Sequence, residues 1–548
     1  MTILNYTLYL LLALVPFIWS RQINGNYFNA KTFCIYIISG LCLYAIAFSN
    51  KNLKKIYFSK YLQIAVLFFC GSALIRPILD ASLVSFYQIF KPVAFCSIAY
   101  FIFLAEDIEQ ENRSDLLNFL TGLFIFAILA LNLYDIYDFR FVQNTLEQGR
   151  LLGTFGNVNM FAEFFVLTIP LVYIWSHDAK KVSNILRTLV LALWVFVIIY
   201  TRSRSSWIGL AFFALFVIYK NFNKKDIFAF TLGLLFYLTC LWLPVNEKDT
   251  VDEVKKNSFI ERVSLYKASL ELIADHPFGI GLGAFTNEVI PYRMHQDYKP
   301  YEFEFADQPH SEVLKWGIEY GWLGLIFAFF ILLSIFKNIY FTKNKLLISA
   351  FLVFVPQLLF QFPFENPASL LVLAFYLGLW LKIQKKSVRV QSSWLKIGLI
   401  SLATLSVAHG LIFISAIVSE SQFQNNFELT SAMCSIYPAN QKNCNYKNIL
   451  LIQQGKTTEF RTDLKSELPF SYMTSDLQRI LPNYFSKIND EKHLCENLMV
   501  YKIIYPAQKY FEDKNINFCS QKYAAPIHFE SPQQFRSDYV NWIEKIIL

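Results

Sequence analysis

Apolar runs close to 20 residues long recur along most of this 548-residue chain and limit what it can fold into. A run of that length crosses the hydrocarbon core of a bilayer as an α-helix. Composition agrees, because only 16% of the residues are charged, against about 25% in soluble domains. The sequence therefore predicts an all-α polytopic membrane protein.

The apolar runs predict about thirteen transmembrane helices. Their approximate limits are 7–20, 31–48, 61–76, 86–104, 115–134, 156–175, 184–200, 206–219, 227–244, 320–336, 346–362, 368–382 and 394–417. The first run lacks a basic n-region and a small-residue cleavage site, so we predict a true span rather than a cleaved signal peptide.

Two segments are too polar to span a membrane. We divide the chain into transmembrane helices 1–9 (1–244), a catalytic loop (245–319), transmembrane helices 10–13 (320–418) and a C-terminal helical domain (419–548). Basic loops such as 51–55 and 220–226 are typical of the cytoplasmic side. With a cytoplasmic N-terminus and an odd number of spans, the catalytic loop and the C-terminal domain are predicted to be periplasmic.

Four of the nine cysteines lie in this exported tail. An even number of cysteines in an oxidising compartment predicts disulfides. Proximity in sequence favours the pairs Cys434–Cys444 and Cys495–Cys519. Two tail segments, "SDLQRILPNYFSKI" and "SDYVNWIEKIIL", are typical of short helices.

Arginines collect on the predicted outer face, against the usual bias. Arg202 and Arg204 lie between two apolar runs in "IIYTRSRSSWIGL", and further examples are Arg140, Arg150, Arg262 and Arg293. A charge at the centre of a membrane helix costs about 2.5–3.5 kcal/mol and less near the interface. Either acidic neighbours such as Asp138 and Glu147 pair with these arginines, or the arginines bind an anion.

A histidine and a glycine-rich stretch stand out in the loop before the late spans. His310 precedes a predicted helix that Ser311 could cap, and Asp307 and Glu312 could orient its ring. A structural and a catalytic role are equally consistent with this position. The three glycines in "GIGLGAF" follow no strand, so a tight turn is favoured over a phosphate-binding loop.

A third polar stretch, "EQGRLLGTFGNVNMFAEFF", brings Arg150, Asn157 and Asn159 to the mouth of a span. Glu163 then lies one turn inside the membrane, where ionisable groups are candidates for function. The alternative is a structural salt bridge from Glu163 to Lys91 or Arg76.

Five stretches in order resemble one bacterial family: "GRLLGTFGNVNMFAEF", "TRSRSSWIGL", "RVSLYKASLELIADHPFGIGLGAF", "QPHSEVLKWGIEYGWLG" and "QFPFENPASLLVLAFYLGLW". Together, over about residues 140–385, they resemble the O-antigen ligase and polymerase superfamily, and within it the protein O-oligosaccharyltransferases, or pilin glycosylation ligases. The protein-modifying members often carry a "GQPNQ"-like motif where this chain has "GNVNM", so the acceptor stays open.

The resemblance implies a multi-pass inner-membrane enzyme with its active site facing the periplasm. It implies en bloc transfer of an oligosaccharide from an undecaprenyl diphosphate carrier to a Ser or Thr hydroxyl of an exported protein such as a pilin. The family's loop histidine corresponds to His310. Its diphosphate-binding arginines correspond to Arg202 and Arg204, and less securely to Arg150 and Arg262.

The residues fit this chemistry. Arginine binds phosphate oxygens with two parallel donors and stays charged as the diphosphate leaves, and histidine can take the proton of an acceptor hydroxyl. We predict no cofactor and no metal, because the chain lacks a DxD pair and the spacing of His276, His295 and His310 fits no standard zinc pattern. Attack by the acceptor would invert the anomeric centre.

Three other functions stay open. The acceptor could be lipid A core, as in an O-antigen ligase, or another lipid-linked repeat, as in a polymerase. A transporter or flippase is more distant, because the charges gather at one face and no inverted repeat is visible. Nucleic acid is not an expected partner, because much of the net charge of +8 lies in short loops.

Overall fold

The computed structural model describes residues 8, 10–18, 28–48, 87, 89–105, 122, 125–126, 129–130, 155, 157–178, 183–221, 224–242, 251–294, 308–383, 393–437, 441–456, 458–460, 475–504, 513–523, 526–527 and 531–547. The regular structure in these residues is helical, and no strand occurs among them. The predicted all-α class is therefore confirmed for the described part of the chain.

The helices follow a short 3₁₀ turn at Val15–Phe17. In chain order they are α1 (Phe28–Phe48), α2 (Phe90–Ala105), α3 (Val158–Asp178), α4 (Asn184–Tyr200), α5 (Arg204–Asn221), α6 (Lys224–Trp242), α7 (Val251–Asp275), α8 (Phe285–Met294), α9 (Glu312–Thr342), α10 (Lys345–Phe360), α11 (Pro367–Ile383), α12 (Ser393–Gln422), α13 (Phe427–Ile436), α14 (Gln441–Gln453), α15 (Ser475–Lys487), α16 (Glu491–Ile504), α17 (Asp513–Lys522) and α18 (Pro532–Ile547).

Helix lengths support several membrane crossings. Three helices in the described residues are long and apolar enough to cross a bilayer, at Asn29–Phe48, Val158–Ser176 and Lys396–Gln422, and the bent pair Glu312–Ile326 and Ala328–Phe341 would make a fourth. Shorter apolar helices lie at Phe90–Phe103, Asn184–Tyr200, Arg204–Tyr219, Lys345–Phe360 and Pro367–Leu381. The count of thirteen stays a prediction, because 61–76 and most of 115–134 lie outside the described residues.

The chain forms two compact units. The first comprises 1–70, 90–251 and 328–411. Within it α6 packs on α4, α11 and α1 pack on α2, α10 packs on α5, and α3 packs on α4 and α10. Its interior is lined by large apolar side chains such as Trp194, Phe161 and Phe213.

The second unit comprises 71–89, 252–327 and 412–548. These ranges cover most of the residues that the sequence assigns to the catalytic loop and the tail, although the membrane side of each segment stays a prediction. Helix α9 begins at Glu312, eight residues before the predicted span, because Ser311 accepts a hydrogen bond from the Leu314 amide at 3.3 Å and caps it. Ser311 thus has the predicted capping role.

Two disulfides tie the tail helices together. Cys434–Cys444 joins α13 to α14, and Cys495–Cys519 joins α16 to α17. These are the pairs that sequence proximity favoured. The tail also has its own hydrophobic core, formed by Leu451, Ile452, Phe460, Ile480, Leu481, Tyr484, Phe485, Val500, Tyr501, Ile527, Phe535, Tyr539, Trp542 and Ile543 together with Ile290 of α8.

The glycine-rich stretch between α7 and α8 is a tight turn that bonds to α9. The Ile280 amide donates to the Ile318 carbonyl at 2.9 Å, and the Trp322 amide donates to the Pro277 carbonyl at 2.9 Å. Gly321 has φ +70°, and a Cβ there would lie 2.1 Å from the Pro277 oxygen. This close backbone approach needs glycine, and it explains the turn without a bound phosphate.

We therefore predict that Gly321→Ala destabilises the protein by at least about 2 kcal/mol, because a left-handed alanine costs about 1–2 kcal/mol and its Cβ also clashes. Gly398→Ala is the matched control, because nothing lies within 4 Å of a Cβ there. Alanine in that helix adds up to about 1 kcal/mol of stability. Thermal unfolding of the detergent-purified variants measures both, and an unchanged Gly321→Ala midpoint would contradict the turn geometry.

Candidate functional site

The arginine turn is a short, hydrogen-bonded connection between α4 and α5. The Thr201 hydroxyl donates to the Ile198 carbonyl at 2.7 Å and accepts from the Ser203 amide at 3.3 Å. Arg202 occupies the turn with φ +55°, and Arg204 is exposed at the first position of α5. The local sequence thus ends one helix and starts the next at the two predicted diphosphate-binding residues.

Two buried glutamines hydrogen-bond to Ser205, just after this turn. Gln361 donates through Nε2 to the Ser205 hydroxyl at 2.8 Å, and Gln357 donates through Nε2 to the Ser205 carbonyl at 3.1 Å. Buried polar groups in apolar surroundings are costly unless they are bonded. We did not identify these glutamines from the sequence, although their spacing of four residues at the end of an apolar helix was a visible signal.

Glu163 is fully buried in α3 and belongs to a separate polar network. Its carboxylate accepts from Asn366 Nδ2 at 3.1 Å, and Ser369 and the Phe362 amide also hydrogen-bond to it. Asn366 donates in addition to the Met160 carbonyl at 2.9 Å. This network joins α3 to the turn before α11.

Lys91 does not form the salt bridge to Glu163 that the sequence left open. Lys91 forms its ion pair with Glu365, next to Asn366 in the chain. The other predicted partner, Arg76, lies outside the described residues, as does Arg150. Whether Glu163 has a role in function beyond this packing stays a prediction.

The two asparagines at the mouth of α3 differ in what they do. The side chain of Asn157 accepts from the amides of Asn159 and Met160, at 2.8 and 3.2 Å, and so begins α3. The predicted polar mouth of this span is therefore in part a helix cap. Asn159 follows on the first turn and is half-buried.

His310 lies in the second unit, two residues before α9. Its carbonyl accepts a hydrogen bond from the Tyr266 hydroxyl at 3.0 Å, and its backbone has φ +52°. Burial, together with the smaller effect of the charges of Arg262 and Arg293, lowers the pKa of His310 to about 4. The ring is therefore neutral at pH 7 and has an acceptor nitrogen.

Two arginines act electrostatically on this histidine. Arg262 acts electrostatically on His310 from α7, and Arg293 does so from α8. Arg293 is only 2% exposed and lies 3.7 Å from Glu261. Of the predicted orienting carboxylates, Glu312 is buried at the start of α9, and Asp307 lies outside the described residues.

Arg202 and His310 share an unusual backbone conformation. Only four non-glycine residues in the described part of the chain have positive φ, namely Arg202, His310, Lys343 and Asn489. Such residues cost about 1–3 kcal/mol and cluster at functional sites. Arg202 and His310, whose roles stay predictions, are two of these four positions.

Fixed guanidinium groups and a neutral imidazole can stabilise developing negative charge and accept a proton. Among the described residues, no group of three or more His, Cys, Asp or Glu side chains is arranged to hold a metal ion.

Comparison with known proteins gives the class. A family model described as O-antigen ligase matches residues 189–330, a segment that contains the arginine turn, Arg262 and His310. This match, together with the relative described next, supports a glycosyltransferase that is similar to the O-antigen ligases. The ComP-specific O-oligosaccharyltransferase of Acinetobacter baylyi is 22% identical over 475 residues, which cover 80% of this chain and 84% of that relative. The resemblance to the O-oligosaccharyltransferases of this superfamily is thereby confirmed.

The strained backbone at Arg202 yields a prediction. Arg202→Gly removes the left-handed penalty and should raise stability by about 1 kcal/mol, while it lowers glycan transfer by about 100-fold because a cation is lost. Lys343→Gly makes the same backbone change at an exposed turn and should raise stability with transfer retained. Thermal midpoints and transfer rates are measured together, and equal activity of the two variants would argue against a role for Arg202.

The lowered pKa of His310 predicts a pH dependence of stability. The unfolded chain binds the proton with a pKa of 6.5 and the native site with a pKa of about 4. Native His310 thus holds fewer protons between these values, so stability falls as the pH drops from about 6.5 to about 4. In His310→Gln this loss should be smaller, as measured by unfolding midpoints across the window, and an identical slope in both proteins would contradict the burial of the ring.

Proposed function

We propose that this protein transfers an oligosaccharide en bloc from an undecaprenyl diphosphate carrier to a Ser or Thr hydroxyl of an exported protein such as a pilin. The roles are proposed residue by residue. Arg202 and Arg204, with Arg150 and Arg262, bind the diphosphate, and His310 accepts the proton of the acceptor hydroxyl. The observation that carries the proposal is that Arg202 and His310 both have a strained backbone with positive φ. Both lie inside the segment that matches the O-antigen ligase family.

In the proposed reaction the acceptor oxygen attacks the anomeric carbon while the bond from that carbon to the phosphate oxygen breaks. The diphosphate leaves with the bonding electron pair and remains on the lipid. Arginine suits this step, because its planar donors bind phosphate oxygens in pairs and its charge persists at every relevant pH. Direct displacement inverts the anomeric configuration.

His310 is the proposed general base. Its low pKa in the resting protein makes it a weak base, and Arg262 and Arg293 contribute to that low value. An anionic diphosphate beside these arginines would offset their charge and raise the pKa of the imidazole. Donor binding would then strengthen the base at the moment when an acceptor needs it.

The proposal does not require a metal ion. Glycosyltransferases that bind a divalent ion for the diphosphate commonly use a DxD pair, which this chain lacks. Arginines supply positive charge in place of the ion. Metal independence is testable in liposomes by adding a chelator.

A protein acceptor is favoured by the name of the relative, a ComP-specific O-oligosaccharyltransferase. The second candidate is transfer to lipid A core, and the description of the matching family model as an O-antigen ligase favours it. The proposed setting is the bacterial inner membrane, with the loop 245–319 and the domain 419–548 in the periplasm.

The test measures glycan on both acceptors in cells that carry each variant. His310→Ala should lower transfer by about 10²–10⁴-fold, the usual contribution of a general base. Arg204→Lys should impair transfer by tenfold or more, because lysine keeps the charge but loses the paired donors. Intact mass of exported pilins and banding of lipopolysaccharide give the readout.

Matched controls make the same changes elsewhere. His493→Ala alters a partly exposed tail histidine that contacts Asp490. Arg187→Lys alters a half-buried arginine whose side chain donates to Asn184. Both should transfer glycan normally. Full activity of a correctly inserted His310→Ala would end the base assignment, and sugar found only on lipopolysaccharide would favour the lipid A core acceptor.

A further inference from the structure

Helix α8 lies between two hydrophobic cores of the second unit. Phe285, Val289 and Tyr292 on α8 belong to the core built on α7. Ile290 belongs instead to the core of the C-terminal domain, together with Phe535 of α18. The helix is therefore held by both the loop and the tail, which are separated by more than a hundred residues in sequence.

Polar contacts from the last helix reinforce this arrangement. Arg536 of α18 donates to Glu288 of α8 at 2.7 Å, and Gln533, one turn earlier, donates to Asp275 at the end of α7. Tyr292 also hydrogen-bonds to Asp275. Residues three apart share a helix face, so one face of α18 contacts α7 and α8 together.

The same short helix carries Arg293, one of the cations beside His310. Its side chain is almost wholly buried and lies 3.7 Å from Glu261. A buried charge acts strongly on its neighbours because little water screens it. The position of α8 therefore determines how this cation acts on the histidine.

We propose that the C-terminal helix α18 is a positioning element for glycan transfer, in which Arg536 and Gln533 hold α8 so that Arg293 stays beside His310. This inference rests on the proposed role of His310. It assigns Arg536 and Glu288 to positioning, because they would act through α8 and Arg293. An exported tail could instead bind the acceptor protein as a docking domain, and positioning of α8 is a different task.

The two tasks differ in what they predict. A docking domain contributes to the affinity for a large acceptor, so its loss raises KM for that acceptor alone. A positioning element affects the chemical step with every acceptor, because a small displacement of a catalytic group lowers the rate by up to about 100-fold. The kcat for a short peptide acceptor therefore separates them.

The experiment uses the full-length enzyme in liposomes with an undecaprenyl diphosphate oligosaccharide. The acceptors are pilin purified from cells that lack the enzyme and a short peptide that carries its modified serine. Arg536→Ala and Glu288→Gln should each lower kcat about tenfold with both acceptors and leave KM unchanged, because the displacement of α8 outweighs the stronger base that a higher His310 pKa would give. Because the two side chains act as a pair, the double variant should be no slower than either single variant.

A pH profile gives a readout that loss of fold alone would not produce. Moving Arg293 away from His310 removes a cation that lowers the pKa of the ring, while Arg262 and Tyr266 of α7 stay in place. The acidic limb of the pH–rate profile should therefore move to higher pH in Arg536→Ala. Arg536→Lys keeps the charge beside Glu288 and should recover most of the rate.

Lys545→Ala is the matched control, because this exposed lysine lies in the last turn of the same helix and should leave kcat unchanged. A rise in KM for pilin alone, or a wild-type rate in Arg536→Ala, would overturn the positioning role. A lower rate with an unshifted acidic limb and no recovery by Arg536→Lys would also overturn it. An active His310→Ala in the same assay would instead reject the proposed function.

Discussion

A polar side chain in apolar surroundings must be bonded, and this requirement organises both units of the protein. In the first unit it links buried glutamines on α10 to the serine that follows the arginine turn. In the second an almost wholly buried arginine on α8 forms an ion pair with Glu261, at 3.7 Å. The first arrangement fixes the backbone next to Arg204, and the second restrains Arg293. Cations held in this way lose little freedom when an anion binds, which is the advantage of a preorganised site.

Much of the architecture was predictable because it follows from local pattern. The limits of α4 match the predicted span 184–200, and Ser311 caps α9 as predicted. Periodicity, helix caps and cysteine spacing each need only a few neighbouring residues. The two strained positions fell on residues that sequence reasoning had chosen for their charge and placement.

What could not be predicted depends on long-range contacts. Asn366 bonds Glu163 across 203 positions of sequence, and Arg536 reaches Glu288 across 248. No periodicity encodes such pairs, and an arginine such as Arg293 gives no sign in sequence that its side chain will be buried. For Glu163 the sequence left a functional role and a salt bridge open, and in the structure the Asn366 amide and the Ser369 hydroxyl hydrogen-bond to its carboxylate.

The disulfides carry a consequence for biogenesis. Cys495–Cys519 fixes α16, and α16 contacts α8 as well as its tail neighbours. If the tail supports the loop and lies in the periplasm as proposed, a newly inserted chain is incomplete until its last helices are exported and oxidised. Because the tail is synthesised last, activity would begin only after its export and oxidation. An incompletely synthesised enzyme would then not react with the proposed lipid-linked donor in the membrane.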